Sequence, residues 1–254
     1  MRVVSYNILD GGEGRADPLA EVLLAQRADL IALIEADNPQ VLARIAARLG
    51  MDYVVAEGER HAVALLARYP MESTINHAVL RTSGPDCFLE AEVTTPPRGK
   101  LVVGVLHLHP RADESDEHRR EQQLRLVLEV FAPRRRQNQA HLLLGDFNAN
   151  SPVQEIDPQR CKKATRESWH RNGGQLPRRA IQMLLDAGYL DTLAVARPDQ
   201  ARSTGSFTTQ HPGQRVDYIF TWGFKSEDIR DAWIEQDRLA KYSSDHFPVG
   251  CELR

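Results

Sequence analysis

The chain has 254 residues, of which 42% are hydrophobic, and its formal net charge is −3. This length and apolar content can fill the core of one large domain or two small ones, so folding requires no disulfide and no structural metal. The acidic balance excludes a uniformly basic protein that coats nucleic acid, and any polyanion must be bound by a local patch.

The first fifth of the chain alternates strand and helix patterns. Residues 2–9 predict a strand, and Asp17-Pro18 predicts a helix start, because a capping residue precedes a proline at the first helical position. Residues 29–35 form a short apolar run, which predicts a buried strand that ends in a carboxylate. Asn38-Pro39 repeats the capping signal and predicts a second helix.

The rest of the chain is rich in strand patterns, with two clear helical stretches. Strands are predicted over residues 53–56, 62–67, 73–80, 88–93, 101–107, 141–144, 215–221, 229–233 and 247–252, and helices over residues 116–131 and 177–187. No Ser/Gly-rich linker and no short repeat divides the sequence. We therefore expect one layered α/β domain over residues 1–254.

The three cysteines, Cys87, Cys161 and Cys251, are far apart and form no CxxC motif. Their number and spacing argue against a disulfide framework or a zinc knuckle and favour a reducing compartment. No signal peptide and no apolar run of membrane-spanning length is visible. We expect a cytoplasmic protein with no membrane partner, unless a leader was removed.

Polar residues follow many of the predicted strands where the apolar run stops. They are Asn7, Glu35, His107, Asp146, Asn148, Asp217, Asp245 and His246. An unpaired buried charge is costly, so an ordinary core would not place so many carboxylates there. Brought together at one sheet edge, they would form a site of oxygen donors and imidazoles that suits Mg²⁺ or Mn²⁺, and no HExxH motif or cysteine cluster points to zinc.

The same residues lie in motifs that resemble those of the endonuclease/exonuclease/phosphatase superfamily. In that family's order, the motifs are YN at 6–7, the strand-terminal Glu35, LHL at 106–108, GDFN at 145–148, RVDYIF at 215–220 and SDH at 244–246. The resemblance spans nearly the whole chain and implies a four-layer α/β sandwich, with two central, mostly antiparallel sheets flanked by helices. It also implies that Glu35, Asn7 and Asp245 hold Mg²⁺, with Mn²⁺ as the alternative ion.

The resemblance further implies roles for the remaining residues. Asp146 would orient or deprotonate the attacking water, and Asn148 would position that water or hold a phosphate oxygen. His246, paired with Asp217, would stabilise charge on the phosphoryl group or assist proton transfer, and His107 would contact the phosphate from the other side. These roles agree with the chemistry, since ester hydrolysis needs a positioned water, a cation and help for the leaving oxygen.

Two other histidines, His61 and His109, are weaker candidates for the site. His61 opens a predicted strand that in DNase-like members of the family can carry a carboxylate partner for the first histidine, and here Glu59 lies two residues earlier. The sequence does not decide whether His61 and Glu59 lie at the site. His109 is interpreted as a surface histidine before Pro110.

Residues 151–179 form a basic segment, with seven Lys or Arg against three Asp or Glu, directly after GDFN. A solvated surface loop is the plain interpretation of such a charge run. Its position favours contact with a phosphate-bearing substrate. Lys162, Lys163 and Arg166 would then pair with phosphates, and Trp169 would stack on a base.

The fold and the core motifs do not choose the substrate. The leading hypothesis is a phosphodiesterase that acts on DNA, RNA or a nucleotide-like diester. The acidic net charge and the acidic run at residues 113–117 favour a second hypothesis, a small phosphorylated metabolite or lipid headgroup, because like charges repel a polyanion. The third hypothesis is a non-catalytic phosphate-binding module. No obligate protein partner is indicated.

Overall fold

The computed structural model describes residues 1–78, 84–96 and 99–254. The strands in chain order are β1 (Arg2–Asn7), β2 (Leu30–Ile34), β3 (Asp52–Glu57), β4 (Ala62–Ala67), β5 (Met71–Asn76), β6 (Cys87–Thr95), β7 (Gly99–His107), β8 (His141–Asp146), β9 (Leu190–Asp191), β10 (Asp217–Trp222), β11 (Ile229–Ile234) and β12 (Val249–Leu253). The helices are α1 (Ala16–Gln26), α2 (Pro39–Leu49), α3 (Glu114–Arg136), α4 (Lys163–Arg171), α5 (Arg179–Asp186), α6 (Thr192–Ala196), α7 (Pro198–Ser203) and α8 (Arg238–Ser243).

The strands form two six-stranded sheets. Their orders are β11-β12-β1-β2-β4-β3 and β5-β6-β7-β8-β10-β9. Each sheet has one parallel pair, β1 with β2 and β7 with β8, and its other neighbouring strands are antiparallel. The prediction of two mostly antiparallel sheets is confirmed.

The two sheets pack face to face and carry helices on their outer faces. Alternate residues of a strand point to opposite faces. In β1, Val3 belongs to the core cluster that contains Val103 of β7, whereas Val4 belongs to the cluster that contains Leu19 of α1. On the other side of the molecule, outward residues of the second sheet pack on α3 and α5. The result is the predicted four-layer α/β sandwich.

The capping signals predict one helix start correctly and one wrongly. The Asn38 side chain accepts two backbone N–H groups from the first turn of α2, as expected. Asp17 does not cap α1, which begins at Ala16. Its carboxylate instead accepts charge-assisted hydrogen bonds from Arg44 and Arg48 of α2.

Other differences concern short or polar elements. The strand predicted over residues 73–80 is β5, which ends at Asn76, and positions 79 and 80 lie outside the described residues. The basic segment contains α4, a helix that the sequence did not predict. None of the described helices is both long and apolar enough to cross a membrane.

A buried ion pair joins α3 to α5 and to the segment after β7. Glu117 and Arg120 are fully buried and lie 2.8 Å apart. The second Glu117 oxygen accepts a hydrogen bond from the Ala180 backbone, and Arg120 donates to the carbonyls of His109 and Arg111. The pair therefore fixes the chain on one side of the pocket described below.

We expect Glu117→Ala to lower the free energy of unfolding by about 3–5 kcal/mol, because it leaves the Arg120 charge buried without its partner. Glu227→Ala is the control, since Glu227 forms an ion pair with Lys225 and its side chain is 66% exposed. That control should change stability by less than about 1 kcal/mol. Urea denaturation measures both, and similar losses in the two variants would contradict the prediction.

Candidate active site

The polar strand ends of the two sheets meet at one place. His107 ends β7, Asp146 ends β8 and Asp217 begins β10, and the sheet register pairs both His107 and Asp217 with Asp146. Three neighbouring strands therefore bring one imidazole and two carboxylates side by side. In the other sheet, Asn7 ends β1 and Glu35 directly follows β2.

Asn7 connects the two sheets. Its Nδ2 donates to Glu35 Oε1 at 3.0 Å and to Asp146 Oδ2 at 3.1 Å, and its Oδ1 accepts from the Leu9 backbone at 3.0 Å. The Asp10 backbone donates to the other Glu35 oxygen at 2.8 Å. Burial acts to raise the pKa of Glu35, but these two donors outweigh it and the pKa is lowered. Glu35 is therefore held as an anion.

His246 and Asp217 form a buried pair. His246 Nδ1 lies 2.9 Å from Asp217 Oδ2, which also accepts from Ser206 Oγ at 2.7 Å. Burial acts to lower the pKa of His246, but the carboxylates of Asp217 and Asp146 outweigh it and raise the pKa. A cationic imidazole is thus fixed with its Nε2 3.7 Å from Asp146 Oδ2.

His107 flanks Asp146 from the other side. Its Nε2 also lies 3.7 Å from Asp146 Oδ2, and no hydrogen-bond partner of its buried Nδ1 is found in the described residues. Burial lowers the pKa of His107, so this imidazole is neutral. Burial and the neighbouring Asp217 raise the pKa of Asp146. A carboxylate with a raised pKa between a neutral and a cationic imidazole is suited to proton transfer.

Asn148 is fixed beside Asp146 by its backbone and its side chain. The Asn148 backbone donates to Asp146 Oδ1 at 2.8 Å, and its side chain donates to the Leu108 carbonyl at 3.0 Å. Asn148 and Glu35 both adopt positive φ angles, 49° and 58°, a conformation that costs energy in residues other than glycine. The turns at the site are therefore held in conformations that the rest of the fold has to maintain.

The donor set fits a divalent cation. Asp10, Glu35 and His61 place one ligand atom each within 4.8 Å of one another. Asp245 Oδ1 is buried, and no donor to it is found among the described residues. A buried carboxylate oxygen without a donor calls for an ion or a bound group, and oxygen-rich sites favour Mg²⁺ or Mn²⁺.

A pocket of about 490 Å³ opens over these residues. Its lining includes six of the eight predicted strand-end residues, namely Glu35, His107, Asp146, Asn148, Asp245 and His246. Asn7 and Asp217 lie behind them through the hydrogen bonds given above. Four basic side chains also line the pocket, namely Arg60, Arg111, Lys162 and Arg171. The pocket lining thus combines carboxylates, imidazoles and cations.

The four residues predicted to bind substrate have different surroundings in the structure. Lys162 lines the pocket, with its Nζ 4.1 Å from the centre of the Phe207 ring, and burial lowers its pKa. Lys163 is 84% exposed and lies 3.8 Å from Glu167. Arg166 donates to the Cys161 carbonyl, and Trp169 packs against a small apolar cluster that contains Cys161. A role of all four in substrate binding stays a prediction.

Sequence reasoning missed the partner of His61. His61 Nδ1 lies 2.8 Å from Asp37 Oδ2, and the His61 ring is 5.5 Å from the His107 ring. The hydrogen bond to Asp37 raises the pKa of His61. Asp37 lies two residues after Glu35. A carboxylate so close to a predicted metal ligand was the signal by which the sequence could have identified it. His109, interpreted as a surface histidine, is partly buried and lies 2.9 Å from Asp116.

The fold and the site define a class of phosphoesterases, and a comparison with protein families agrees. The model of the Endonuclease/Exonuclease/phosphatase family matches residues 4–246. The chain belongs to this family, as its motifs predicted. Among curated proteins, no significant match was found.

Solved structures with the same fold include enzymes with different substrates. The 3' phosphatase NExo from Neisseria, bound to a product DNA hairpin, has a TM-score of 0.75 at 21% identity, over 100% of this chain and 99% of that chain. An AP endonuclease from Archaeoglobus fulgidus has a TM-score of 0.71 at 17% identity, with the same coverage of 100% and 99%. The mannosyl-6-phosphatase Bt3783 from Bacteroides thetaiotaomicron VPI-5482 has a TM-score of 0.65 at 17% identity, over 100% of this chain and 99% of that chain. At these identities the similarity establishes the fold alone.

Proposed function

We propose that this protein is a divalent-metal-dependent phosphoesterase that hydrolyses a nucleotide-like phosphodiester. One observation carries the proposal. Asp146 lies between the imidazoles of His107 and His246, 3.7 Å from each, in a pocket that also contains Glu35. A base, two imidazoles and a carboxylate ligand in one pocket are the groups that phosphate-ester hydrolysis requires.

Glu35 would hold the ion, with Asn7 and Asp245 as the other predicted ligands. A bound divalent ion supplies positive charge to the phosphate oxygens and to the developing charge on the leaving oxygen. For Asn7, ligation requires its amide oxygen, whereas its Nδ2 is the atom that faces Glu35 in the present arrangement. The amide would therefore rotate when it serves as a ligand.

The protein's own residues would handle the water and the phosphate. Asp146 accepts a proton from the attacking water, which its raised pKa favours near neutral pH. Asn148, whose backbone is fixed by Asp146, positions that water or a phosphate oxygen. The His246 cation, held by Asp217, stabilises negative charge on the phosphoryl group, and neutral His107 donates a hydrogen bond from the other side.

Two properties support a nucleotide-like substrate. The pocket volume of about 490 Å³ lies within the range of roughly 300–1,000 Å³ that is usual for small-molecule sites. Two of the similar structures, the DNA-bound 3' phosphatase and the AP endonuclease, are named for activities on nucleic acid. We therefore place a terminal or exposed nucleotide in the pocket, rather than a long duplex along the surface.

A second candidate is a small phosphorylated metabolite. Arg171 pairs with Asp113 at 2.9 Å, and Lys163 lies close to Glu167. These two basic residues of the segment thus have acidic partners, which weakens the attraction of the segment for a polyanion. The similarity to a mannosyl-6-phosphatase supports this candidate as well.

Lys162→Met is expected to raise KM about tenfold, because it removes a partly desolvated cation from the pocket and leaves the acid–base residues in place. Lys163→Met is the matched comparison, since it removes the same charge from the adjacent, 84% exposed side chain. We expect its effect on KM to be smaller. Steady-state kinetics on one substrate in both variants tests this, and an equal or larger effect at Lys163 would contradict the expectation.

Hydrolysis of two model substrates tests the proposed function. Bis-p-nitrophenyl phosphate is the diester and p-nitrophenyl phosphate is the monoester, each assayed with Mg²⁺ and with Mn²⁺. Faster cleavage of the diester is the expected result. Cleavage of the monoester alone would favour the second candidate, and turnover of neither would favour a non-catalytic phosphate-binding module.

A further inference from the structure

Asp10, Glu35 and His61 approach one another from three different parts of the first sheet. Asp10 lies in the turn after β1, Glu35 follows β2 and His61 precedes β4. One ligand atom from each lies within 4.8 Å of the other two. Two carboxylates and one imidazole at this spacing can share a single metal ion.

The His61 ring is fixed by Asp37. His61 Nδ1 lies 2.8 Å from Asp37 Oδ2, and the other Asp37 oxygen accepts from the Ala62 backbone at 2.6 Å. Because Nδ1 is hydrogen-bonded to the Asp37 carboxylate, Nε2 is the ring nitrogen that remains to bind a metal ion. A histidine that ligates a metal usually has such a carboxylate behind its other nitrogen, which sets the tautomer and the ring orientation.

The surroundings of His61 indicate that something binds there. Glu35 and His61 line the same pocket, and the His107 ring lies 5.5 Å from the His61 ring. His107 is 5% exposed, and within the described part of the chain its buried Nδ1 has no hydrogen-bond partner. The ring next to His61 thus keeps a buried polar atom that the described part of the protein does not satisfy.

We propose that His61, oriented by Asp37, is a nitrogen ligand of the divalent ion at Glu35, and that Asp10 is an additional carboxylate ligand. The inference rests on the proposed function only in placing an ion at Glu35, and it goes beyond that function by specifying the ion's donor set. An imidazole ligand moves the preference of a site from Mg²⁺ towards transition metals. The site therefore selects Mn²⁺ over Mg²⁺, and binding displaces any proton on the ligating nitrogen.

Mn²⁺ is the probe for the test, with affinity measured by calorimetry and nitrogen coupling measured by pulsed electron paramagnetic resonance. The variants are His61→Ala, Asp37→Asn and Glu35→Ala. His109→Ala is the matched control, because His109 is also partly buried and bonded to a carboxylate, Asp116, at 2.9 Å. Thermal unfolding shows whether each variant is folded.

We expect nitrogen coupling in the wild type and in His109→Ala, and its loss in His61→Ala. The Kd for Mn²⁺ should rise about 10- to 100-fold in Asp37→Asn and at least as much in His61→Ala. The Kd for Mg²⁺ should rise less, so the preference for Mn²⁺ falls. If His61→Ala is unfolded, Asp37→Asn alone decides through its effect on Mn²⁺ affinity.

Two results would overturn the inference, and they differ in what they mean for the proposed function. Mn²⁺ binding that needs Glu35 but is unaffected by His61→Ala and Asp37→Asn would reject His61 as a ligand and leave the proposed function standing. Wild-type protein that binds no Mn²⁺ through Glu35 would contradict the metal dependence itself, and the inference would fail with it.

Discussion

Asp146→Asn is expected to lower kcat/KM for phosphodiester hydrolysis by about 10²- to 10⁴-fold, the range for loss of a general base. The substitution keeps the size of the side chain and removes its ability to accept a proton. Asp146 is suited to this role because burial and Asp217 raise its pKa, and because it lies between two imidazoles. No other carboxylate of the site has this position in the described structure.

The same substitution should leave the fold intact. Because burial raises the pKa of Asp146, the ionised carboxylate is less favourable in the folded state than a neutral side chain. Loss of its attraction for the His246 cation acts in the opposite direction. We therefore expect a melting temperature within about 4 °C of the wild type. Kinetics and thermal unfolding measure the two effects, and activity within tenfold of the wild type would reject Asp146 as the base.

His246→Ala and Asp217→Asn are each expected to lower kcat by about 10²-fold or more, and the double variant should lose little beyond the larger single loss. Asp217 acts through His246, whose Nδ1 it holds at 2.9 Å and whose pKa it raises. Residues that act as one unit give non-additive effects when both are removed. If the two acted separately, the losses would multiply to about 10⁴-fold.

Single-turnover kinetics on the four proteins measures this coupling apart from product release. The pH dependence of kcat adds a second readout, because the imidazole of Asp217→Asn should lose its proton at lower pH than in the wild type. A double variant whose loss equals the product of the two single losses would show that Asp217 and His246 do not work as a pair.

The sequence predicted those parts of the site that depend on local patterns. Asn7, His107 and Asp146 each end an apolar strand, and strands of this kind are recognised from a few neighbouring residues. The sandwich followed from the order of the motifs, because that order resembles one family along nearly the whole chain.

The sequence did not predict contacts that depend on distant packing. The pair of Arg171 with Asp113 joins residues 58 positions apart, and no periodic pattern marks such a contact. Helix α4 was missed because it buries only Thr165 and Ser168, so it lacks the apolar stripe that predicts a helix. The orientation of His61 by Asp37 likewise depends on how two strand ends meet.

Metal-dependent hydrolysis at Glu35 is the most direct test of the account. Wild-type protein and Glu35→Ala are assayed on bis-p-nitrophenyl phosphate after chelation and after addition of Mg²⁺ or Mn²⁺. We predict turnover in the wild type only with the ion, and loss of that turnover in folded Glu35→Ala. Turnover that survives chelation, or that survives in Glu35→Ala, would contradict a metal-dependent phosphoesterase centred on Glu35.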